Sequence, residues 1–318
     1  MIAFGPIASR RLGASLGVNN IPAKHCGYSC VYCQAGETSH LEIRRTAFYS
    51  VTEIVRAVEE RLAKLRERGE PVERISFVAD GEPTLDANLG AEIAGLKQFG
   101  LPVAVLTNAC ILWMADVRND LLAADLVSLK VDAAGEAVWR KINRPPAELS
   151  FEQIREGMRV FAGQFKGTLL TETLLVRDIN DGGEEVRKIA VLIKNLVPKT
   201  AYLGIPTRPP AQSWVIPPPE DRLLRAFAVF TETGLPAELL TGRGGLSFGY
   251  TGALEDDLVA AAAVHPMSRE QVTDMVKRAG KEWAVVEDLV RRGRLKEIEY
   301  QGTTYYGVFP LHKHQPGV

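Results

Sequence analysis

Three cysteines are grouped near the start of the chain. Cys26, Cys30 and Cys33 are spaced C-x3-C-x2-C within residues 25–34, which read HCGYSCVYCQ. A cubane iron-sulfur cluster takes four ligands, so a loop with three thiolates leaves one iron open to bind and polarise an exogenous molecule. An electron-transfer ferredoxin would supply the fourth ligand itself. The spacing therefore predicts a 4Fe-4S cluster with one open iron.

A zinc site and a disulfide are the alternatives for the same cysteines. Structural zinc usually requires a second pair of Cys or His ligands at similar spacing, and the sequence has none. A disulfide suits a secreted chain, but the first twenty residues contain Arg10 and Arg11 without a long apolar run and cleavage pattern. The cluster is favoured, and zinc is the main alternative. The remaining cysteine, Cys110, follows an apolar run and is predicted to be a buried core residue.

The tetrapeptide Asp80-Gly81-Glu82-Pro83 is a second candidate for chemistry. It follows a predicted strand and comes one strand-helix unit after the cysteines. A backbone without side-chain bulk and a carboxylate acceptor suit a ligand ammonium group at the carboxyl edge of a barrel. The same tetrapeptide is also typical of an ordinary turn.

The cysteine spacing, with Tyr32 directly before Cys33, resembles the cluster loop of the radical S-adenosylmethionine (radical SAM) superfamily. In that family the amino and carboxylate groups of SAM bind the open iron. The cluster's electron then cleaves the sulfonium bond to give a 5'-deoxyadenosyl radical. The resemblance implies two cofactors, a 4Fe-4S cluster and SAM, with Cys26, Cys30 and Cys33 as metal ligands.

The resemblance also implies roles for residues that follow the cysteines. Residues 80–83 resemble the family's Gly-Gly-Glu motif, with Asp80 where the family often has glycine. Glu82 would then contact the SAM ammonium group, with Gly81 and Pro83 in the same motif. Tyr32 resembles the aromatic residue that packs beside adenine, although a tyrosine of the core would fit the pattern equally.

Short apolar runs alternate with amphipathic segments between Leu16 and Gly234. Parallel neighbouring strands need helical crossovers, so this order predicts an α/β fold with a parallel sheet. The count matches the partial (β/α)6 TIM-like barrel of radical SAM proteins, which we place at residues 1–235. The predicted strands are Leu16–Ile21, Arg74–Ala79, Val103–Leu106, Asp125–Val131, Leu169–Val176 and Ala201–Ile205.

Polar residues fall at the carboxyl ends of these strands, where barrel sites form. Lys130 and Asp132 share one strand face and would suit a ribose hydroxyl or a carboxylate, unless they form an internal ion pair that only stabilises the barrel. Glu172 is expected to face inward, the alternative being an outward, solvated position. The candidates for cofactor contact are Thr107, Asn108, Ser128, Lys130, Asp132 and Glu172, and Thr207 and Arg208 follow the sixth strand.

The chain changes character after the predicted barrel. Residues 236–253 are rich in glycine and are predicted to be a linker. Residues 254–318 predict three helices and a β-hairpin, which resembles a winged helix-turn-helix domain. Basic residues around the third helix could bind nucleic acid, although acidic residues are interspersed among them; contact with protein and recognition of a peptide are the other possible roles. These basic residues are Lys277, Arg278, Lys281, Arg291, Arg292, Arg294 and Lys296.

Composition and the N-terminal segment limit the functional classes. The formal net charge of the 318 residues is −1, which gives no overall attraction to nucleic acid or acidic membranes. No apolar run approaches the roughly 18 residues of a membrane helix, and the few cysteines without a targeting signal predict a cytoplasmic protein. Residues 5–20 resemble a subgroup distantly related to the wybutosine-synthesis radical SAM enzymes. Arg10 and Arg11 in this segment could hold a phosphate or carboxylate, the alternative being a solvated turn.

Cysteine content separates this chain from the pyruvate-condensing members of that subgroup. Those members carry extra cysteines for a second cluster, and Cys110 alone cannot supply it. We expect a single-cluster enzyme that reductively cleaves SAM with a flavodoxin or ferredoxin type of reductant. It would abstract hydrogen from an unidentified RNA base, peptide or small metabolite. The alternative is an iron-sulfur, redox-sensing DNA-binding regulator without SAM turnover.

Overall fold

A mixed sheet of nine strands lies at the centre of the protein in a computed structural model that describes residues 1–9, 11–241 and 247–308. Arg10, named above as a candidate anion ligand, and the glycines at 242, 244 and 245 lie outside the described residues. The first eleven strands are β1 Ala3–Ser9, β2 Gly13–Val18, β3 His25–Cys26, β4 His40–Leu41, β5 Arg74–Phe77, β6 Val103–Thr107, β7 Leu126–Lys130, β8 Thr168–Leu174, β9 Thr200–Gly204, β10 Ala237–Leu240 and β11 Ser247–Phe248.

The sheet has the order β10-β9-β8-β7-β6-β5-β2-β1-β11. Neighbours from β2 to β10 pair in parallel, whereas β1 runs antiparallel to both β2 and β11. The short strands β3 and β4 pair separately. The predicted α/β class is confirmed, and the mixed sheet is consistent with a partial barrel.

Helices connect the parallel strands. In α1, Ser50 and Glu53 form a capping box, and Ile54, Val58 and Leu62 are buried on one face. Ser150 caps α5 through a bond from the backbone N–H of Gln153. The first seven helices are α1 Val51–Glu67, α2 Leu89–Leu96, α3 Ala115–Leu121, α4 Glu136–Asn143, α5 Phe151–Gln164, α6 Gly183–Lys194 and α7 Glu220–Glu232.

The observed sheet extends further than the sequence indicated at both ends. Strand β1, which the sequence did not indicate, pairs with β2, and their register shifts between Phe4 and Ile7. Within the predicted linker, β10 pairs in parallel with β9, and β11 pairs with β1. Such short strands lack a readable period and form because a neighbouring strand edge is available. Residues 237–240 therefore belong to the sheet.

The described part of residues 254–308 contains three helices and a small antiparallel sheet, which we call the C-terminal unit. Its hairpin turns at Gln301 and Gly302, both of which have positive φ as a two-residue hairpin turn requires. The added strands pair in the order β12-β14-β13. The elements are α8 Leu254–Val264, β12 Met267–Ser268, α9 Arg269–Arg278, α10 Ala284–Arg291, β13 Lys296–Tyr300 and β14 Thr303–Gly307.

The C-terminal unit packs on the antiparallel edge of the main sheet. Phe4, Ile7 and Phe248 share a buried apolar cluster with residues of α8 and α9. Beside this cluster, Arg61 of α1 forms an ion pair with Asp257 of α8, with 2.7 Å between Nη1 and Oδ1. The side chains are only 8% and 0% exposed. Apolar contact and a buried charge pair therefore hold the unit in place.

Several basic residues of the C-terminal unit are paired with acidic ones. Arg278 contacts Glu70, and Arg291 contacts Asp288. Arg292 also forms ion pairs, at 2.7 Å with Glu255 and at 2.6 Å with Asp288. This pairing reduces the positive charge that the sequence placed on the surface. No helix in the described ranges combines the length and apolar character needed to cross a membrane.

Replacing Arg61 by alanine should destabilise the fold by about 3–5 kcal/mol, because Asp257 would be left buried without its cation. Urea unfolding of the full chain would measure the loss. The control is Arg56→Ala, which removes an exposed i,i+4 pair with Glu60 and should cost about 0.3–0.5 kcal/mol. Equal losses in the two variants would contradict the structural role of the buried pair.

Glu92 lies in the core beneath the segment that leads to the cysteines. Its carboxyl is 0% exposed, and the Nδ2 of Asn20 donates to its Oε2 at 2.9 Å. Burial, together with the charge of Asp86, raises the pKa of Glu92 to about 8 from 4.5. The folded state therefore retains a proton that the unfolded chain releases above about pH 4.5.

The stabilisation by protonated Glu92 is complete below about pH 4.5 and is lost as the pH rises through about 8. In Glu92→Gln this dependence should disappear. The unfolding free energy of the variant minus that of the wild type should then increase by up to about 1.4 kcal/mol for each pH unit between those two values. Urea unfolding of both proteins at several pH values measures this difference in free energy. Exposed Glu59→Gln should follow the wild type, and a constant difference between Glu92→Gln and wild type would refute the assignment.

Candidate functional site

A cavity of about 420 Å³ opens among the carboxyl ends of the parallel strands, where barrel sites form. It brings together most residues that the sequence selected. Pro83 and Asp132 lie outside its lining. The selected residues that line it are Cys26, Cys30, Tyr32, Cys33, Gly81, Glu82, Thr107, Asn108, Ser128, Lys130 and Glu172, and Arg11, Thr207 and Arg208 line it as well.

Backbone hydrogen bonds hold the cysteine loop against the end of α4. The N–H of Ser29 donates to the carbonyl of Asn143 at 3.0 Å, and that of Val31 donates to Ile142 at 3.0 Å. Within the loop, the N–H of Cys33 donates to the backbone carbonyl of Cys30 at 3.1 Å. The last carbonyls of a helix lack partners within the helix, so they are free to bind the loop.

Side-chain amides point N–H groups at two of the three sulfurs. Asn108 Nδ2 lies 3.2 Å from Cys26 Sγ, and Asn143 Nδ2 lies 3.3 Å from Cys30 Sγ. Thiolates that bind iron-sulfur clusters accept such bonds, which orient the ligands and tune the metal. Three cysteines on one loop with these donors therefore fit a cluster.

Burial affects two thiols of the cysteine loop. It raises the pKa of Cys26 and raises that of Cys30 to about 12, with neighbouring carboxylates adding to the effect. Thiolate ligation thus requires the positive charge of a metal centre. Cys110 is 0% exposed, as predicted, and its sulfur would lie 2.3 Å from a Cβ placed on Gly27.

Gly81 lets the cysteine loop contact the turn after β5. A Cβ at this position would lie 2.0 Å from the carbonyl oxygen of His25. Two backbone hydrogen bonds join the segments. The N–H of Glu82 donates to the carbonyl of His25 at 2.9 Å, and the N–H of Lys24 donates to the carbonyl of Asp80 at 3.0 Å. The glycine is required because two backbones meet there.

The carboxylate of Glu82 is almost fully engaged by the protein. Its Oε1 accepts from the N–H and hydroxyl of Thr84 and from the hydroxyl of Thr107, and its Oε2 accepts from the N–H of Asn108 at 2.7 Å. Burial raises its pKa, while these bonds oppose the rise. A carboxylate has about four acceptor positions, so Oε2 is the oxygen with room for another donor.

Asp132 supports the cysteine loop and does not pair with Lys130. Its carboxylate accepts from the hydroxyl of Tyr32, from Asn143 Nδ2 at 2.9 Å and from the N–H of Leu174 at 2.9 Å. The sequence placed Asp132 on one strand face with Lys130, but β7 ends at Lys130, so the alternation stops there. Asp132 thereby connects Tyr32 to the asparagine that contacts Cys30.

Lys130 instead pairs with Glu172 on the neighbouring strand, with 2.8 Å between Nζ and Oε1. Glu172 faces the cavity and also contacts Arg11. Burial lowers the pKa of Lys130 and lowers that of Arg11 to about 10. The three side chains form a mixed-charge group on one wall of the cavity.

Sequence reasoning missed several polar residues of the site. Asn143 ends a helix and carries no local signal of its contact with Cys30. Gln34 and His265 are 231 residues apart in the chain, yet Gln34 Nε2 lies 2.7 Å from His265 Nδ1. The adjacency of Gln34 to Cys33 was the only available pointer. Such contacts depend on the three-dimensional fold.

Replacing Gly81 by alanine should push the cysteine loop away from the turn. The new Cβ meets a backbone oxygen, so the expected loss is roughly 1–3 kcal/mol of stability together with reduced iron binding. Urea unfolding and iron content per chain measure the two effects. Gly163→Ala in α5, where nothing lies within 4 Å, should bind iron normally. Normal iron binding by Gly81→Ala would argue against this contact as the positioning element.

The chain is similar in sequence to radical SAM proteins. The model of the radical SAM superfamily matches residues 20–193. A UPF0026 protein from Methanocaldococcus jannaschii is 42% identical over 307 residues, which cover 96% of this chain and 95% of that protein. The predicted resemblance to radical SAM proteins is therefore confirmed, and the DNA-binding regulator gains no support from these similarities.

Solved structures share the fold. A radical SAM methyltransferase from Sphaerobacter thermophilus superposes with a TM-score of 0.55 at 16% identity, over 72% of this chain and 67% of that chain. A structure of TYW1 with a lysine-pyruvate adduct bound gives 0.52 at 13% identity, over 70% of this chain and 75% of that chain. The chain belongs to the radical SAM superfamily, whose enzymes use a 4Fe-4S cluster and SAM and draw electrons from an external reductant.

Proposed function

We propose that this protein is an enzyme that reductively cleaves SAM and abstracts hydrogen from a substrate held in the same cavity. One observation carries the proposal: Cys26, Cys30 and Cys33 line a single cavity at the carboxyl ends of the strands, with no fourth ligand on the loop. When bound, the cluster supplies the electron for SAM cleavage. The protein's residues bind, orient and shield the reactants.

In this proposal the three cysteines ligate the cluster, and Asn108 and Asn143 orient two of the sulfurs. Both asparagines also connect to residues of the site. Asn108 donates its backbone N–H to Glu82, and Asn143 donates to Asp132. The ligand loop and the cofactor wall are thereby fixed relative to each other.

The SAM contacts are assigned from the hydrogen-bond acceptors and charges that face the cavity. Glu82 would accept from the SAM ammonium group through Oε2, the oxygen that receives a single bond from the protein. Lys130, whose Nζ lies 5.4 Å from the ring centre of Tyr32, would face the carboxylate. We place the adenine near Tyr32. Thr107, Ser128 and Glu172 complete this wall, while Gly81, Pro83 and Asp132 act by positioning it.

The C-terminal unit is proposed to be a winged-helix-like module. Its element order of helix, strand, two helices and a hairpin supports this assignment. Four of its arginines, 278, 291, 292 and 294, are paired with carboxylates, which weakens the case for a nucleic-acid surface. Contacts of Val264 and His265 with the cavity favour a role in closing the site.

We propose three further properties of the protein. The reductant would be of the flavodoxin or ferredoxin type, and the protein would act in the cytoplasm. A single cluster is proposed because Cys110 is buried under the ligand loop and cannot nucleate a second one.

The function is tested by anaerobic reconstitution of the full chain. The wild type should bind about four irons and four sulfides per chain and form 5'-deoxyadenosine from SAM after reduction. Cys30→Ala should lose most of the iron and reduce 5'-deoxyadenosine to background. Cys110→Ala, which changes a buried cysteine outside the ligand set, should retain both properties.

Two outcomes would defeat the proposed function. One is a reduced, fully reconstituted wild type that leaves SAM intact. The other is one zinc per chain without sulfide, which would assign the cysteines to a structural metal.

A further inference from the structure

Arg208 is a cavity-lining cation that the proposed cofactor contacts do not use. It follows β9 and contacts the C-terminal unit, with its Nε 3.1 Å from the carbonyl oxygen of Pro266. Its Nη1 donates to Oε1 of Gln34 at 3.4 Å. Both acceptors are neutral, and no carboxylate within residues 1–9, 11–241 and 247–308 forms an ion pair with Arg208.

The charge of Arg208 is therefore not balanced by the neighbouring protein. Burial lowers the pKa of its guanidinium, but an arginine remains charged at neutral pH. A guanidinium has five N–H donors, and these two bonds leave others available. A partly buried charge of this kind is stabilised by an anion that accepts two parallel bonds.

Arg11 adds positive charge to the same cavity. Its side chain is 17% exposed and contacts Glu172, which Lys130 also contacts at 2.8 Å. One carboxylate is thus shared by two cations. Together with Arg208, this wall carries an excess of positive charge.

His265 contributes a hydrogen-bond donor without a charge. The amide nitrogen of Gln34 donates both to the carbonyl of Val264 and to Nδ1 of His265, so Nδ1 is the acceptor and Nε2 carries the proton. Burial, followed by the charges of Arg208 and Arg11, lowers the pKa of His265 to about 3. The imidazole is therefore a neutral donor in a cavity that already holds two arginines.

Arg208 and His265 are separate from Lys130, the cation proposed for SAM, whereas Arg11 shares the Glu172 carboxylate with Lys130. Lys130 lies within electrostatic range of Cys30 and Cys33, whereas Arg208 contacts Gln34 and the C-terminal unit. In the sheet, β7 and β8 separate β9, which precedes Arg208, from β6, whose end lies beside the Glu82 carboxylate. The anion that fits Arg208 is thus additional to the SAM carboxylate.

We propose that Arg11, Arg208 and His265 form a subsite for a phosphate or carboxylate group of the substrate. The inference rests on the proposed function, since the anion would belong to the molecule from which hydrogen is abstracted. It assigns the substrate to the class of anionic molecules. It also gives the C-terminal unit a specific task, because that unit supplies His265 and the carbonyl that orients Arg208.

The subsite is tested by calorimetric titration of the reconstituted full chain with saturating SAM, so that the SAM carboxylate occupies its own site. Inorganic phosphate and acetate are the probes, at an ionic strength held constant with potassium chloride. Arg208→Gln should weaken binding at least tenfold. Arg208→Lys should give an intermediate affinity, because it retains the charge and loses the planar fork. Arg225→Gln on α7, which is 76% exposed, is the control and should bind as the wild type.

The outcomes separate the two sources of the anion. Tighter phosphate binding assigns a phosphorylated substrate, and tighter acetate binding assigns a carboxylate. Absence of binding to the wild type, or equal binding by wild type and Arg208→Gln, overturns the subsite. Arg11→Gln provides the same comparison if circular dichroism shows that Arg208→Gln is unfolded. SAM binding in the same samples tests the proposed function separately: Arg208-dependent phosphate binding without SAM binding would retain the subsite and remove that function.

Discussion

The contact between two backbone segments, residues 24–25 and 80–82, determines where the three cysteines lie. The missing side chain of Gly81 lets the carbonyl of His25 approach, and hydrogen bonds on both sides hold the segments together. The carbonyls at the end of α4 hold the middle of the loop. The cysteine loop is therefore positioned by the end of one strand and the end of one helix, which lie at the same edge of the sheet.

The electrostatics of the cavity follow from the strand order. Glu82, in the turn after β5, lies close to Cys26, whereas the side chains of Lys130, Arg11 and Arg208 line the part of the cavity nearer to β7, β8 and β9. Glu172 neutralises only part of that charge because it is shared by Arg11 and Lys130. The cavity therefore offers an acceptor-rich side for an ammonium group and a donor-rich side for anions, both close to the cysteine sulfurs.

The sequence predicted features that depend on neighbouring residues in the chain, and it missed those that depend on contacts between distant residues. The strand-helix alternation is a local pattern, and the structure contains the corresponding strands and helices. Strand β10 has only four residues and exists because β9 offers an edge. The pairing of Arg11 with Glu172 joins residues 161 positions apart, which no periodicity reveals. Asp132 was selected as a candidate for cofactor contact, and in the structure its carboxylate accepts hydrogen bonds from Tyr32, Asn143 and Leu174.

Gln34 connects the cysteine loop to the C-terminal unit because it directly follows Cys33, the last of the three cysteines. Its amide spans from the cysteine loop to Val264 and His265, and Arg208 donates to the same amide. A displacement of Cys33 would therefore pull on the junction between the main sheet and the C-terminal unit. One side-chain amide therefore links the position of Cys33 to the packing of the C-terminal unit against the main sheet.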